Sequence, residues 1–464
     1  MLILPELNIL VFSILFLFIS ISGRKDCSIT CAKIFSLIVF FVSLLSLNQV
    51  GELFSGAYRI DLYSQVFKIV ILLGFCLVIF MFENKGETME DYLPEFFMFL
   101  GFSVLGLMMI VSSIELISIV IALEISSYSL YVILPLRKSQ KRMQIEASMK
   151  YLFFGAASTG IMLFGMGYLY GIAHSTFLKD IVQIIPGFLS TPIGIIALVF
   201  TLTGFFFKLS LFPMHFWSPD VYEGASNTTT TFIGTIPKIA GTALLIRIVM
   251  LAYPGSTEFI NILIVLAALS MTFGNLVGLV QKDVKRLLAY SGIAHAGYLL
   301  MGVLSMSRDG NASAIYYITI YLFMNLACFY VVILLSREGE NVSTENLAGL
   351  SKRSPLLALV LAVSAFSLAG IPPTGGFTGK LFLFTSAFKA GHLPIVLIGA
   401  VNTVISIFFY LNLVRMSYSK DIAATIEPIK LSFYKKVICC IFIFVILYMG
   451  IQPFGLFELF KASV

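Results

Sequence analysis

Apolar runs of roughly eighteen or more residues recur along the whole sequence, each long enough to cross the ~30 Å hydrocarbon layer of a bilayer as a helix. No other feature narrows the possible folds so far. A backbone in lipid must satisfy its own polar groups, which leaves only helices and closed barrels. A barrel would show alternating segments of about ten residues, and these are absent from the sequence. With 59% of its 464 residues hydrophobic and 12% charged, the chain is expected to be an all-α, polytopic membrane protein. About 14 transmembrane segments are counted, and the first, near 5–22, is read as a retained span. It has no basic region before it and no small-residue cleavage site after it.

Two segments are expected to be broken. The twelfth, near 355–390, would be roughly 54 Å long as one helix, too long for a single crossing. Its interruption is Gly370-Ile371-Pro372-Pro373-Thr374-Gly375-Gly376, which cannot hold a continuous helix. In the seventh, near 192–217, Pro213 weakens the helix just before His215. The freed backbone groups then need a protein-lined or wet cavity. Interrupted segments five apart, each carrying one buried lysine, suggest paired repeats, and an odd spacing gives the two units opposite orientations.

The lysines expected to be buried in these segments are Lys208 and Lys380. A lysine near the bilayer midplane costs roughly 3 kcal/mol on insertion scales, so it is expected to face the protein interior and to be functional. The bland alternative is snorkelling along its own stem. Lys238, after Pro237 in the eighth segment, is weighed the same way, and for Lys380 the bland reading is a cap on carbonyls exposed at the break. Glu124 lies about ten residues into the fifth segment, near 114–136, with a protonated, hydrogen-bonded core acid as its alternative. At ~4 Å and an effective dielectric of ~20 a carboxylate–ammonium pair is worth roughly 4 kcal/mol. Separating Glu124 from a lysine is thus expected to release the lysine's proton. Histidine and water can bridge gaps that lysines cannot, which brings in His215 and His295; a buried histidine can equally be a packing residue. No sodium cage of several carboxylates and carbonyls is visible, which favours protons as cargo.

Arg24, Lys25, Arg137, Lys138, Lys141, Arg142, Lys282, Lys285, Arg286, Lys352 and Arg353 fall in alternate loops. These loops are assigned to the cytoplasmic side, which puts both termini on the opposite, periplasmic side. The net charge of +6 therefore reports topology, and nucleic acid is not an expected partner. The six cysteines form no metal-ligand pattern, and neither a P-loop nor a dinucleotide fingerprint is present. No metal or cofactor is expected on this chain.

The stretches FKLSLFPMHFWSPDVYEGA, PKIAGTALLIR, VKRLLAYSGIAHAGYLLMG and SLAGIPPTGGFTGKLFLF together resemble one family, the antiporter-like subunits N of respiratory NADH:quinone oxidoreductase. IEASMKYLFFGAASTGIMLFGMGYLYG resembles subunit N above its relatives L and M and above multisubunit cation/proton antiporters. The likeness covers roughly residues 90–420. It implies fourteen helices, with inverted five-helix repeats over helices four to eight and nine to thirteen. Carried over by position, the family's helix-five glutamate falls on Glu124, nine residues after Glu115, and its key lysines fall on Lys208, Lys238 and Lys380. Lys150 and His295 match secondary polar positions.

The implied layout is a three-helix segment (1–92), a first repeat (93–253), a second repeat (254–418) and a terminal helix (419–464). The implied function is proton translocation coupled to quinone reduction elsewhere in the complex. Flavin, iron–sulfur clusters and quinone are expected on partner chains, with subunit M-like and K-like neighbours in a bacterial cytoplasmic (inner) membrane. Two other readings stay open: a subunit of a cation/proton antiporter or of a ferredoxin- or hydrogenase-linked relative, and a structural subunit that only anchors its neighbours.

Overall fold

A computed structural model describes residues 2–23, 25–83, 88–138, 141–188, 191–251, 257–419 and 428–464. Arg24 and the expected boundary at 253/254 lie outside this set. The described residues form nineteen α-helices and one short hairpin. The chain runs through α1 (Leu4–Ser22), α2 (Ser28–Leu45), β1 (Gly51–Leu53), β2 (Tyr58–Ile60), α3 (Leu62–Met81), α4 (Leu93–Ser112) and α5 (Leu116–Ile133). It continues through α6 (Lys141–Ala173), α7 (Leu178–Phe188), α8 (Pro192–Leu209), α9 (Trp217–Gly224), α10 (Asn227–Leu251), α11 (Thr257–Gly278) and α12 (Val284–Val303). The remainder is α13 (Arg308–Leu335), α14 (Leu350–Arg353), α15 (Pro355–Ala369), α16 (Gly375–Lys389), α17 (Leu393–Tyr418), α18 (Phe433–Ile451) and α19 (Phe454–Ser463).

Twelve of these helices are long and apolar enough to cross a membrane. The 20-residue α12 carries more polar residues and the 15-residue α15 is shorter, so neither belongs to the twelve. The helices differ in how they meet their surroundings. The most apolar window of α10 is 100% buried and that of α13 94%, against 33% for α1 and 28% for α2. A helix covered on all sides is a core element, whereas α1 and α2 turn faces such as Val11, Phe18, Phe41 and Leu45 outward, as a lipid-facing helix does.

The chain forms two compact units, one reaching to Leu263 and taking in Ser463–Val464, the other covering Ile264–Ala462. In the first, α3, α4 and α8 pack on α10. Asp61 caps α3: its carboxylate accepts from the Ser64 N–H at 2.8 Å, and Ser64 Oγ accepts from the Asp61 N–H at 3.0 Å. The same carboxylate holds Arg247 of α10 through two bonds of 2.5 and 3.0 Å. Burial raises the Asp61 pKa, but the Arg247 charge and the Ser64 bonds outweigh it and leave the carboxyl below its ordinary value. In the second unit α12, α15, α16 and α18 surround α13.

Both expected breaks are present. α8 ends at Ser210 in the left-handed conformation, and the chain resumes as α9 at Trp217. α15 ends at Gly370, also left-handed, and α16 starts at Gly375. The hairpin, α7, α9, α14 and α19 are not legible as apolar segments, being short or polar.

Candidate functional site

In the first unit, Lys208 is the penultimate residue of α8, placed by the break at the buried end of a half-helix. It is 3% exposed, so its stem does not snorkel to a surface of this unit. Its ammonium donates to Ser126 Oγ at 3.2 Å and Ser127 Oγ at 3.1 Å, both on α5. Glu124, on the same helix, is half-buried and accepts from Thr159 Oγ1 of α6 at 2.5 Å. The carboxylate and the ammonium therefore stand about one helical turn apart along α5, each held by hydroxyls, and the pair is open in this structure.

Lys238 lies midway along α10, 2% exposed. Gly241, one turn further on, lets α8 approach closely: a Cβ there would sit 3.8 Å from Lys208 Cβ and 3.1 Å from Leu209 side-chain carbons. The two lysines thus belong to one close helix contact. His215 lies in the segment between α8 and α9, 1% exposed, its ring stacked on Phe212 with centroids 5.3 Å apart. Lys150 is different. Its ammonium meets Glu146 at 2.6 Å and Asp220 of α9 at 2.5 Å, and its side chain is 35% exposed. That is a partly solvated tie between α6 and α9, apart from the buried lysines.

In the second unit, Lys380 follows its break, on the second turn of α16, and is 4% exposed. Its ammonium reaches back across the break and donates to Leu368 O at 3.0 Å and Ala369 O at 3.1 Å, the last carbonyls of α15. It also stands 4.6 Å over the Tyr298 ring. Tyr298 lies edge-on to His295, one turn away on α12, with centroids 5.9 Å apart. His295 holds a tyrosine on each nitrogen: Tyr317 at 2.6 Å from Nδ1 and Tyr410 at 3.0 Å from Nε2. Tyr410 is bonded in turn to Ser291 Oγ. Ser291, Tyr410, His295 and Tyr317 form one continuous hydrogen-bonded row. Each member can both give and accept a proton, which is the requirement for relaying one.

The buried charges stood out in sequence because each interrupts an apolar run. The hydroxyls that receive them did not, since Ser126, Ser127, Tyr317 and Tyr410 are common residues in membrane helices. Spacing could have found part of this: Ser127 is three residues from Glu124, and Ser291 lies one turn from His295.

Residues 113–406 match the family described as NADH:quinone oxidoreductase/Mrp antiporter, transmembrane. A protein of Opitutus terrae named NADH-quinone oxidoreductase subunit N 2 is 44% identical over 97% of this chain and 95% of its own length. A protein of the same name from Solidesulfovibrio magneticus is 41% identical over 98% of this chain and 97% of its own. Among solved structures, a chain of respiratory complex I from Thermus thermophilus superposes with a TM-score of 0.84, at 28% identity, over 99% of this chain and 100% of that one. A chain of the Mrp complex from Dietzia superposes with a TM-score of 0.85 at 18% identity, covering 99% of this chain and 96% of that one; the likeness there is one of fold.

Proposed function

We propose, for a chain that belongs to the NADH:quinone oxidoreductase/Mrp antiporter transmembrane family, that it is a proton-translocating subunit N. In this reading it works inside a membrane-bound NADH:quinone oxidoreductase, a translocase whose redox chemistry lies on other chains. Flavin, iron–sulfur clusters and quinone belong to those partners, and the direct neighbours here are further antiporter-like and small membrane subunits. The 28% identical complex I chain supports this placement. Fourteen crossings are counted by adding α12 and the α15/α16 pair to the twelve long apolar helices. Helices four to eight and nine to thirteen of that count form two inverted repeats, bounded near 93–253 and 254–418, with 1–92 and 419–464 as flanking segments. The membrane is the bacterial cytoplasmic one, and both termini face the periplasm.

One observation carries the mechanism: Lys208 and Lys380, each beside a helix break, are held by neutral oxygens and by no carboxylate among the described residues. With no carboxylate in contact, each ammonium is held by neutral dipoles alone, and a carboxylate that moves into contact changes its hold on the proton. Closing Glu124 onto Lys208 loads the lysine; opening the pair discharges it. Lys238 is the next acceptor within the first unit. In the second unit Lys380 and the row from Ser291 to Tyr317 pass the proton on, His295 by exchanging its tautomers. His215 and Lys150 have supporting roles.

The test is electron transfer and membrane potential in isolated membranes, with assembly checked separately. Lys380→Met keeps the stem volume and removes the charge, and is expected to lower pumping in an assembled complex. Loss of assembly instead would reduce Lys380 to a cap on α15. Lys208→Arg keeps the charge but cannot release a proton near neutral pH, so full pumping in that variant would sink the mechanism. Tyr317→Phe, which removes one hydroxyl from the row, is expected to slow turnover while leaving the ring packed.

A further inference from the structure

The first three helices carry a second buried charge cluster that the mechanism above does not use. Glu6, on the first turn of α1, is 7% exposed, and Lys68, on the second turn of α3, is fully buried. Their charges meet at 2.6 Å, Lys68 Nζ to Glu6 Oε1. Tyr58 of β2 donates its hydroxyl to the same oxygen at 2.5 Å, and its ring lies 5.3 Å from the ammonium. The other charged groups acting on Lys68 are Asp61 and Arg247, themselves an ion pair.

Two features set this cluster apart from a simple clasp between helices. The second carboxylate oxygen, Glu6 Oε2, is buried and has no hydrogen-bond partner among the described residues, and Lys68 Nζ has no acceptor there besides Glu6. A buried ion pair is strongly stabilised only when its remaining hydrogen-bonding capacity is spent. Glu6 and Tyr58 also line a cavity of about 320 Å³ whose walls are mostly apolar, Leu7, Leu10 and Phe54 among them, with Ser113 and Ser118 adding hydroxyls beside the carboxylate. A water needs only about 30 Å³ and two to four polar partners, and the Glu6 carboxylate and three hydroxyls supply them. Ser118 Oγ is bonded in turn to Glu115 Oε2 at 2.8 Å, at the start of the helix that bears Glu124. On the other side, Asp61 and Arg247 line a charged cavity of about 570 Å³ with Glu52, Arg59, Lys179 and Asp180.

We propose that Glu6, Lys68 and Tyr58 form a proton-exchange port of the first unit, on the side of the membrane that holds the hairpin and the start of α5. The proposal rests on the proton-translocating reading. In the exchange, one proton passes from Lys68 Nζ to Glu6, so that ammonium and carboxylate become amine and carboxylic acid. Charge and atoms balance in that transfer. The carboxylic acid then hands its proton to water in the 320 Å³ cavity, leaving a carboxylate beside the neutral amine, and the amine takes the next proton from the buried lysine path of the first unit, which restores the ion pair.

The discriminating variant is the double change Glu6→Gln with Lys68→Met, made in the full chain and assayed in the assembled complex. A pair that serves only stability can be replaced by neutral groups at little cost, so a structural role predicts parental pumping. The port predicts continued electron transfer with fewer protons moved per electron pair. A parental ratio in the double variant overturns the proposal. If the double variant does not assemble, Tyr58→Phe carries the same readout: the ring stays, the hydroxyl goes, and an unchanged ratio is again fatal. Lys380→Met in the same membranes separates the two levels. Loss in Lys380→Met with a parental double variant removes only the port, and parental ratios in both remove the translocation reading as well.

Discussion

Ser127 is one of the two α5 hydroxyls that Lys208 touches, and it lies three residues along the helix from Glu124, which marks where a transplanted carboxylate should work. Glu124→Gln removes the charge that closes onto Lys208, so the lysine can no longer be loaded, and pumping is expected to fall sharply. Adding Ser127→Glu puts a carboxylate in contact with the ammonium, where the Ser127 hydroxyl stands at 3.1 Å. Part of the lost activity is expected back. Tyr128, which helical spacing alone also offers, is 61% exposed and points away, so Tyr128→Glu in the Glu124→Gln background should restore nothing. Proton uptake per electron in the three variants decides the matter, and equal rescue from both positions would show that contact with Lys208 is unimportant. At this scale the sequence revealed charges better than their partners. Lys208, Lys238 and Lys380 announce themselves by interrupting apolar runs. Glu6 and Lys68 carry no such sign, because Glu6 sits at the start of a run, where an acid looks interfacial, and Lys68 near the start of another.

The broken helices were legible because proline and glycine act locally. The Pro372–Pro373 pair and the left-handed Gly370 lie where the sequence puts the interruption. The closeness of the packing around the break was hidden, since it depends on chain segments distant in sequence. Gly376 opens α16 with its N–H donated to Ser367 Oγ at 3.0 Å, and a Cβ at that position would overlap the Ser367 carbonyl. Backbone cannot retreat as a flexible side chain can, so Gly376→Ala is expected to destabilise by about 1–3 kcal/mol or more, in the range of overpacked cores. Thermal unfolding of the purified complex measures it, and an unchanged midpoint would mean that the two half-helices are free to part. The short elements α7, α9 and the hairpin escaped notice because hydropathy registers spans and not the caps and covers between them. Asp61 illustrates this: its pairing with Arg247, 186 residues away, has no local sign.

For the whole molecule, the all-α membrane character followed from segment length alone, whereas the grouping of helices into two compact units required tertiary contacts. Sidedness is the expectation most open to a direct check. Reporters fused at Lys141 and Lys352 are expected on the cytoplasmic side and one at Lys179 opposite; a cytoplasmic Lys179 would overturn the fourteen-crossing count. The grip of Lys380 on the last carbonyls of α15 adds a constraint of a different kind. An ammonium offers three hydrogens and an amine two, and the amine's own lone pair repels a carbonyl oxygen that the ammonium attracts. When the proton leaves, two hydrogens remain for Leu368 O and Ala369 O, but the charge that drew those carbonyls is gone and the end of α15 is held less firmly. The discharge of Lys380 is then at once an electrical event and a loosening of the joint between two half-helices.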